Sequence, residues 1–273
     1  MKPADYLNKI ISNKKIEIDK LIQETKSNRN HSLNMILNQT YTTSKRFSSA
    51  LKGGKLSVIG EVKRRSPSLG EISKIEDPVK LALQYCDGGA SAISILTDTK
   101  HFGGSLSDLS LVKRELAIPY PNIAVLRKDF IIHPLQLAEA VLAGADAILL
   151  IANVVRQDLK VLIQEATRLG LEVLTEIHDL ADLDLALDAE APIIGINHRN
   201  LETFNIDIGI SEKLRPLIPP HIITVAESGI HHPNQAKIMR DLGYDAILVG
   251  EALVNSTDAS KLIKEMKGEY NES

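Results

Sequence analysis

From residue 56 onward, short runs of apolar and β-branched residues alternate with longer stretches whose apolar positions recur every three or four residues. The runs fall at 56–63, 92–97, 123–128, 147–152, 172–177, 193–197, 222–227 and 246–250. Between them, Asp77-Pro78-Val79-Lys80-Leu81-Ala82-Leu83-Gln84-Tyr85, Pro134-Leu135-Gln136-Leu137-Ala138-Glu139-Ala140-Val141-Leu142 and residues 158–169 carry helical period and helix-start residues. Strands separated by helices pair in parallel through right-handed crossovers. Eight such units predict an α/β fold of the (β/α)8 TIM-barrel type. A doubly wound sheet is the alternative, but the glycine loop it carries after its first strand is absent.

A weak repeat supports the barrel. Gly89-Ala90-Ser91-Ala92-Ile93, Gly144-Ala145-Asp146-Ala147-Ile148 and Gly243-Tyr244-Asp245-Ala246-Ile247 each end a helix on glycine and enter a strand. Ahead of the barrel, apolar residues at helical spacing predict an amphipathic helix over 5–23. A polar connector follows at 24–30, and a second helical segment at 33–38. The expected organisation is an N-terminal helical extension (1–48) packed on the barrel (49–268), with a short polar tail (269–273).

The 273 residues exceed a usual single domain, yet α/β barrels run to about 200–250 residues as one unit. Hydrophobic content of 44% with 25% charged residues is that of a soluble globular chain, and no apolar run approaches the roughly 20 residues that span a bilayer. The first residues lead into a polar amphipathic segment rather than a signal-peptide core, which points to the cytoplasm. A net charge of −3 argues against nucleic acid or a membrane surface as partner, so an anionic ligand must be held by a local cluster. The single cysteine, Cys86, can form no internal disulfide and lies in a helical pattern, which suits packing. Metal binding is not expected either: His231 and His232 are adjacent, and no further ligand stands at zinc spacing.

The chemistry gathers where the strands end. In Val58-Ile59-Gly60-Glu61-Val62-Lys63-Arg64-Arg65-Ser66-Pro67-Ser68, Glu61 and Lys63 share a face of the strand, which Ser66-Pro67-Ser68 then terminates. Later runs end with Lys128 and Phe130, Glu176, Asn197 and Arg199, and Glu227 with Ser228 and Gly229. One charged strand end is ordinarily a solvated surface. Several ending different strands of one barrel converge on one cavity and need partners there. Small residues and glycine in Ala226-Glu227-Ser228-Gly229-Ile230 and Val249-Gly250-Glu251-Ala252 follow the last two strands, where barrels commonly hold phosphate.

These motifs resemble the indole-3-glycerol phosphate synthase family of tryptophan biosynthesis over residues 7–262. They are Glu61 to Ser68, Leu96-Thr97-Asp98 with Phe102-Gly103-Gly104-Ser105, Leu126-Arg127-Lys128-Asp129-Phe130-Ile131-Ile132 and Gly144 to Ile151. Glu176-Ile177-His178, Gly195-Ile196-Asn197-His198-Arg199-Asn200-Leu201, Ala226 to Ile230 and Leu248-Val249-Gly250-Glu251-Ala252-Leu253 complete the set. The resemblance implies extra helices over the barrel mouth. It also implies a cofactor-free ring closure of 1-(2-carboxyphenylamino)-1-deoxyribulose 5-phosphate to indole-3-glycerol phosphate, carbon dioxide and water, by a monomer. Carried onto this chain, Lys128 would be the general acid, Glu176 an acid or base in later steps, and Lys63 the group that holds the departing carboxylate and assists dehydration. Glu61, Asn197, Arg199, Glu227 and Ser228 would orient the substrate. Phe130, Leu201 and Leu248 would clamp its ring, and Ser66, Gly229, Gly250 and Glu251 would surround its phosphate.

Three positions depart from the family pattern. Gly60 stands for a usual alanine and His101 for a frequent aromatic residue, which is expected to loosen the apolar wall. His198 stands for a usual asparagine and, by strand parity, faces outward. Two rival readings remain: the isomerase acting one step earlier, whose acid/base pair would need a cysteine better placed than Cys86, and a non-catalytic barrel that binds a phosphorylated ligand.

Overall fold

Both parities of each apolar run are buried, because one faces the interior of a closed barrel and the other the helices around it. The computed structural model describes residues 4–66, 70–71, 75, 77–200 and 203–269. Its eight parallel barrel strands are β1 (Ser57–Val62), β2 (Ala92–Leu96), β3 (Ala124–Lys128), β4 (Ala147–Ile151), β5 (Glu172–Ile177), β6 (Ile193–Asn197), β7 (Ile223–Glu227) and β8 (Ala246–Val249). Each pairs with its neighbours in chain order, and β8 closes the ring on β1 with Ala246 opposite Ser57. This is a (β/α)8 barrel, as the alternation of runs predicts. Ile59, Leu126, Leu149, Leu174 and Val225 belong to the interior core, whereas Val58, Val125, Ile148, Val173 and Ala226 pack in the layer beneath the helices. Gly89, Gly144 and Gly243 all adopt left-handed φ values, between 81° and 86°, at the corners where the repeat expects them.

Three helices precede the barrel: α1 (Ala4–Ser27), α2 (Ser32–Leu37) and α3 (Arg46–Leu51). α1 runs a turn beyond the expected 5–23, into the polar stretch, and the Thr25 hydroxyl bonds back to the Leu21 carbonyl at 2.9 Å. Its Tyr6, Leu7 and Ile10 close over the barrel mouth. α3 has no counterpart in the sequence reading and packs at the opposite end, where the strands begin. There the Glu172 carboxylate, at the start of β5, accepts from the Phe47 and Ser48 N–H groups at 2.7 and 3.1 Å. Phe47 is fully buried beneath it.

Gly60 is explained by its neighbour. A Cβ there would stand 2.5 Å from the ring of Tyr85, which is itself fully buried in the helix Pro78–Asp87. Gly60→Ala is therefore expected to destabilise the fold by about 1–3 kcal/mol through overpacking. Chemical denaturation checks this, and the effect should shrink when Tyr85 is truncated in the same chain.

Candidate active site

On β1, β3, β5, β6 and β7 the last interior-facing position is polar, namely Glu61, Lys128, Glu176, Asn197 and Glu227, whereas β2, β4 and β8 end that register on Leu96, Ile151 and Leu248. Asn197 on β6 lies opposite Glu227 on β7, Leu248 on β8 flanks Glu227 from the other side, and Glu176 on β5 lies opposite Gly195. The carboxylates of Glu61, Glu176 and Glu227 are buried, which demands partners. Lys128 supplies one cation to two of them, with Nζ 2.7 Å from Glu227 Oε2 and 3.2 Å from Glu176 Oε2. Lys63 Nζ pairs with Glu61 Oε1 at 2.6 Å. Two glycines make room. A Cβ on Gly195 would meet Glu227 Oε1 at 2.1 Å, and one on Gly250 would meet Glu61 Oε1 at 2.4 Å.

This packing separates the protonation states. Burial opposes charge on Lys128, but Glu227, Glu176 and Glu61 outweigh it and hold the ammonium well above the ordinary lysine range. Glu176 is held below the ordinary carboxylate range despite its burial, because Lys128, His178 and Asn197 all favour the anion. Glu227 is pushed up to about 7 by burial, and the neighbouring Glu176 charge adds to the push against Lys128. Its Oε1 has no hydrogen-bond partner among the described residues, so it stands ready to bond a ligand. The result is an ammonium, a carboxylate and an easily protonated carboxyl group in contact with one another, as acid–base chemistry requires.

These groups form the floor of a cavity of about 1090 Å³, counted out to the solvent. Its apolar wall includes Tyr6, Leu7 and Ile10 from α1, together with Phe102, Phe130 and Leu248. The Phe102 and Phe130 rings lie 5.9 Å apart. At the rim, Ser228 and Gly229 adopt consecutive left-handed φ values of 65° and 73°, and Arg199 reaches to 3.9 Å from Glu251. Lys63, Glu61, Lys128, Phe130, Glu176, Asn197, Arg199, Glu227, Ser228, Gly229, Leu248, Gly250 and Glu251 all line this one cavity. Leu201 and the side chain of Ser66 lie outside the described residues. The sequence reading did not assign Tyr6, Leu7, Ile10, Leu149 or Ile151 to the wall. Strand parity marks Leu149 and Ile151, which sit in the interior register, and the spacing of Tyr6, Leu7 and Ile10 marks one face of α1.

The two variant histidines do other work than expected. His101 does not line the cavity and so does not loosen its wall. It anchors α1, accepting from Asn13 Nδ2 at 2.9 Å through Nε2 and contacting the Tyr6 hydroxyl at 3.2 Å through Nδ1. Burial lowers its pKa, which favours the neutral ring that this pattern needs. His198 points away from the cavity, as parity predicts, but into the buried layer behind the strands rather than to solvent. Its Nδ1–H donates to the Ser228 carbonyl at 2.8 Å, because a carbonyl can only accept. Nε2 must then accept from Ser211 Oγ at 2.6 Å, and Ser211 from the Tyr244 hydroxyl at 2.6 Å. This directed chain braces the strained turn at Ser228.

α1 is fastened by a buried charge network. Lys14 Nζ lies 3.0 Å from each of Asp98, Asp129 and Glu17. Asp129 also accepts from the Thr97 hydroxyl at 2.6 Å and pairs with Arg127 at 3.1 Å. Despite burial, Arg127 and Lys14 hold its carboxyl down at about 2. The end of β3, which carries Lys128, and Phe130 just beyond it are thereby tied to the helix roofing the cavity.

A parallel barrel with acids, bases and cations converging at the carboxyl ends of its strands, beneath an aromatic wall, has the architecture of a (β/α)8-barrel enzyme. The family model described as Indole-3-glycerol phosphate synthase matches residues 7–266, and the chain belongs to that family. It is 41% identical over 266 residues to the indole-3-glycerol phosphate synthase of Aliarcobacter butzleri, covering 93% of this chain and 99% of the other. With indole-3-glycerol phosphate synthase 1 of Streptomyces coelicolor it shares 45% identity over 219 residues, 80% of each chain. The crystal structure of 3-hexulose-6-phosphate synthase from Salmonella typhimurium superposes with a TM-score of 0.62 at 15% identity, over 78% of this chain and 97% of that one. That likeness is one of fold alone.

Proposed function

We propose that this protein is an indole-3-glycerol phosphate synthase that closes the indole ring of 1-(2-carboxyphenylamino)-1-deoxyribulose 5-phosphate, releasing carbon dioxide and water. The observation that carries this reading is the single cavity shared by Lys63, Lys128 and Glu176, with an aromatic wall beside them. In the first step the ring carbon bearing the carboxylate attacks the ribulose carbonyl. Lys128, kept protonated by its carboxylate neighbours, gives a proton to the carbonyl oxygen, which becomes a hydroxyl. Lys63 holds the carboxylate; the bond to it breaks, carbon dioxide leaves, and the electron pair restores the aromatic ring. The new hydroxyl then departs as water with help from Lys63, and Glu176 takes the proton whose loss sets the pyrrole double bond.

Glu61, Asn197, Arg199, Glu227 and Ser228 orient the anilino nitrogen and sugar hydroxyls in this reading. Phe130, Leu201 and Leu248 clamp the ring, and Ser66, Gly229, Gly250 and Glu251 surround the phosphate. The space a Gly250 side chain would fill is taken by Glu61, so Gly250 serves phosphate through its backbone N–H. The chemistry asks for no cofactor. No helix among the described residues is long and apolar enough to cross a membrane, and the reading is of a cytoplasmic monomer.

Incubating the purified protein with the anilino-ribulose phosphate and following indole absorbance tests the reading. Product at a rate proportional to enzyme supports it, and none at high enzyme concentration overturns it. Inorganic phosphate is expected to raise the apparent KM while leaving kcat unchanged. A KM indifferent to high phosphate would remove the substrate's phosphate from the Gly229 turn.

A further inference from the structure

One largely buried titratable side chain to which the reaction above assigns no step touches the acid–base centre. His178 follows the last residue of β5, and its backbone N–H donates at 2.9 Å to Asp182, in the first turn of the helix Leu180–Asp188. Its ring lies between two carboxylates, with Nε2 3.3 Å from Glu176 Oε1 and Nδ1 3.4 Å from Asp182 Oδ2. Glu176 therefore has a different cation on each oxygen, Lys128 on Oε2 and His178 on Oε1. We propose that His178, braced by Asp182, is a positioning residue that fixes the Glu176 carboxylate as an anion turned toward Lys128, and so sets the alkaline limit of turnover.

A carboxylate held by one cation can rotate about its last side-chain bond; a second cation on the other oxygen removes that freedom. At 3.3 and 3.4 Å these are ion-pair contacts rather than close hydrogen bonds, so their strength depends on the ring carrying its charge. The groups acting most strongly on the ring are Asp182 from the following helix and Glu176 from its own strand, while Lys128 on β3 lies across Glu176. Burial opposes the imidazolium, but the two carboxylates outweigh it and raise the pKa to about 9. Lys128 discharges later still, its pKa being held above the ordinary lysine range. As pH rises, His178 loses its charge before Lys128 does.

The role in turnover rests on the function proposed above; the coupling between His178 and Glu176 does not. Two measurements separate them. Histidine-labelled NMR on the whole protein should find one imidazole titrating near pH 9, and in Glu176→Gln that value should fall by at least one unit. In steady-state kinetics, wild-type kcat should decline above about pH 9. His178→Gln should lower the plateau by roughly tenfold and move the alkaline decline upward by a unit or more. Asp182→Asn should move it downward by about a unit, with KM within about twofold in both variants. A residue that merely fills space would not shift the limb in opposite directions. Coincident limbs in the three enzymes, or no imidazole titrating above the ordinary histidine range, overturn the proposal. If His178→Gln fails to fold, the NMR titration and Asp182→Asn still decide it. A wild-type protein that makes no indole product refutes the assigned reaction instead, leaving the NMR coupling to be judged alone.

Discussion

Lys128→Met is expected to lower kcat by about 10²–10⁴-fold, the range for loss of a positioned general acid, because methionine keeps the stem and deletes the proton donor. Indole formation followed by absorbance checks it, and near-wild-type rates would sink the assignment of Lys128. The fold should survive for a reason visible in the site. Removing one partner of a buried ion pair ordinarily costs about 3–5 kcal/mol, since the other charge is stranded. Here Glu227 already holds its proton up to about 7, so it can meet the loss of Lys128 by remaining neutral. The sign of the pH effect follows. A carboxyl whose folded pKa lies above its unfolded value stabilises the fold at low pH, and that contribution is lost as pH rises through the folded pKa. Lys128→Met should therefore melt at a lower temperature at pH 8 than at pH 6, by a wider margin than wild type.

The second large effect is on stability. Lys14→Met leaves Asp98 and Asp129 buried without the ammonium that both contact at 3.0 Å, a loss of about 3–5 kcal/mol. For a chain of this size that is on the order of 10 °C in melting temperature. Because α1 also brings Tyr6, Leu7 and Ile10 to the cavity wall, KM should rise more than kcat falls. Thermal denaturation by circular dichroism, with steady-state kinetics on the same preparation, measures both. An unchanged melting temperature would show that α1 is held by its apolar face alone.

The barrel was legible because parallel strands covered on both sides read as uninterrupted apolar runs, and the eight expected runs agree with the strands to within one residue at each end. The cavity floor was legible through parity: Glu61 with Lys63, and Asn197 with Arg199, stand two apart and reach the same cavity. What escaped depends on partners distant in the chain. α3 is held by Glu172 from β5, whose carboxylate accepts from its Phe47 N–H across more than a hundred residues of chain. Lys14 falls four residues after Ile10 and four before Ile18, on the buried face of α1, but its partners Asp98 and Asp129 follow β2 and β3 and no local pattern names them. Parity turned His198 away from the cavity but could not reveal the buried polar chain behind it, whose other members, Ser211 and Tyr244, come from later units. His178 carried a faint mark in sequence, a glutamate two residues before it and an aspartate four after.

The ring is completed by the hydrogen bonds that join β8 to β1, segments separated by most of the polypeptide. A nascent chain leaving the ribosome thus exposes seven strands with two unpaired borders, and Glu61 has no Gly250 to lie against until the eighth emerges. Catalytic competence is then a late event of synthesis, and the interval before it is when chaperone capture or edge-to-edge aggregation threatens most.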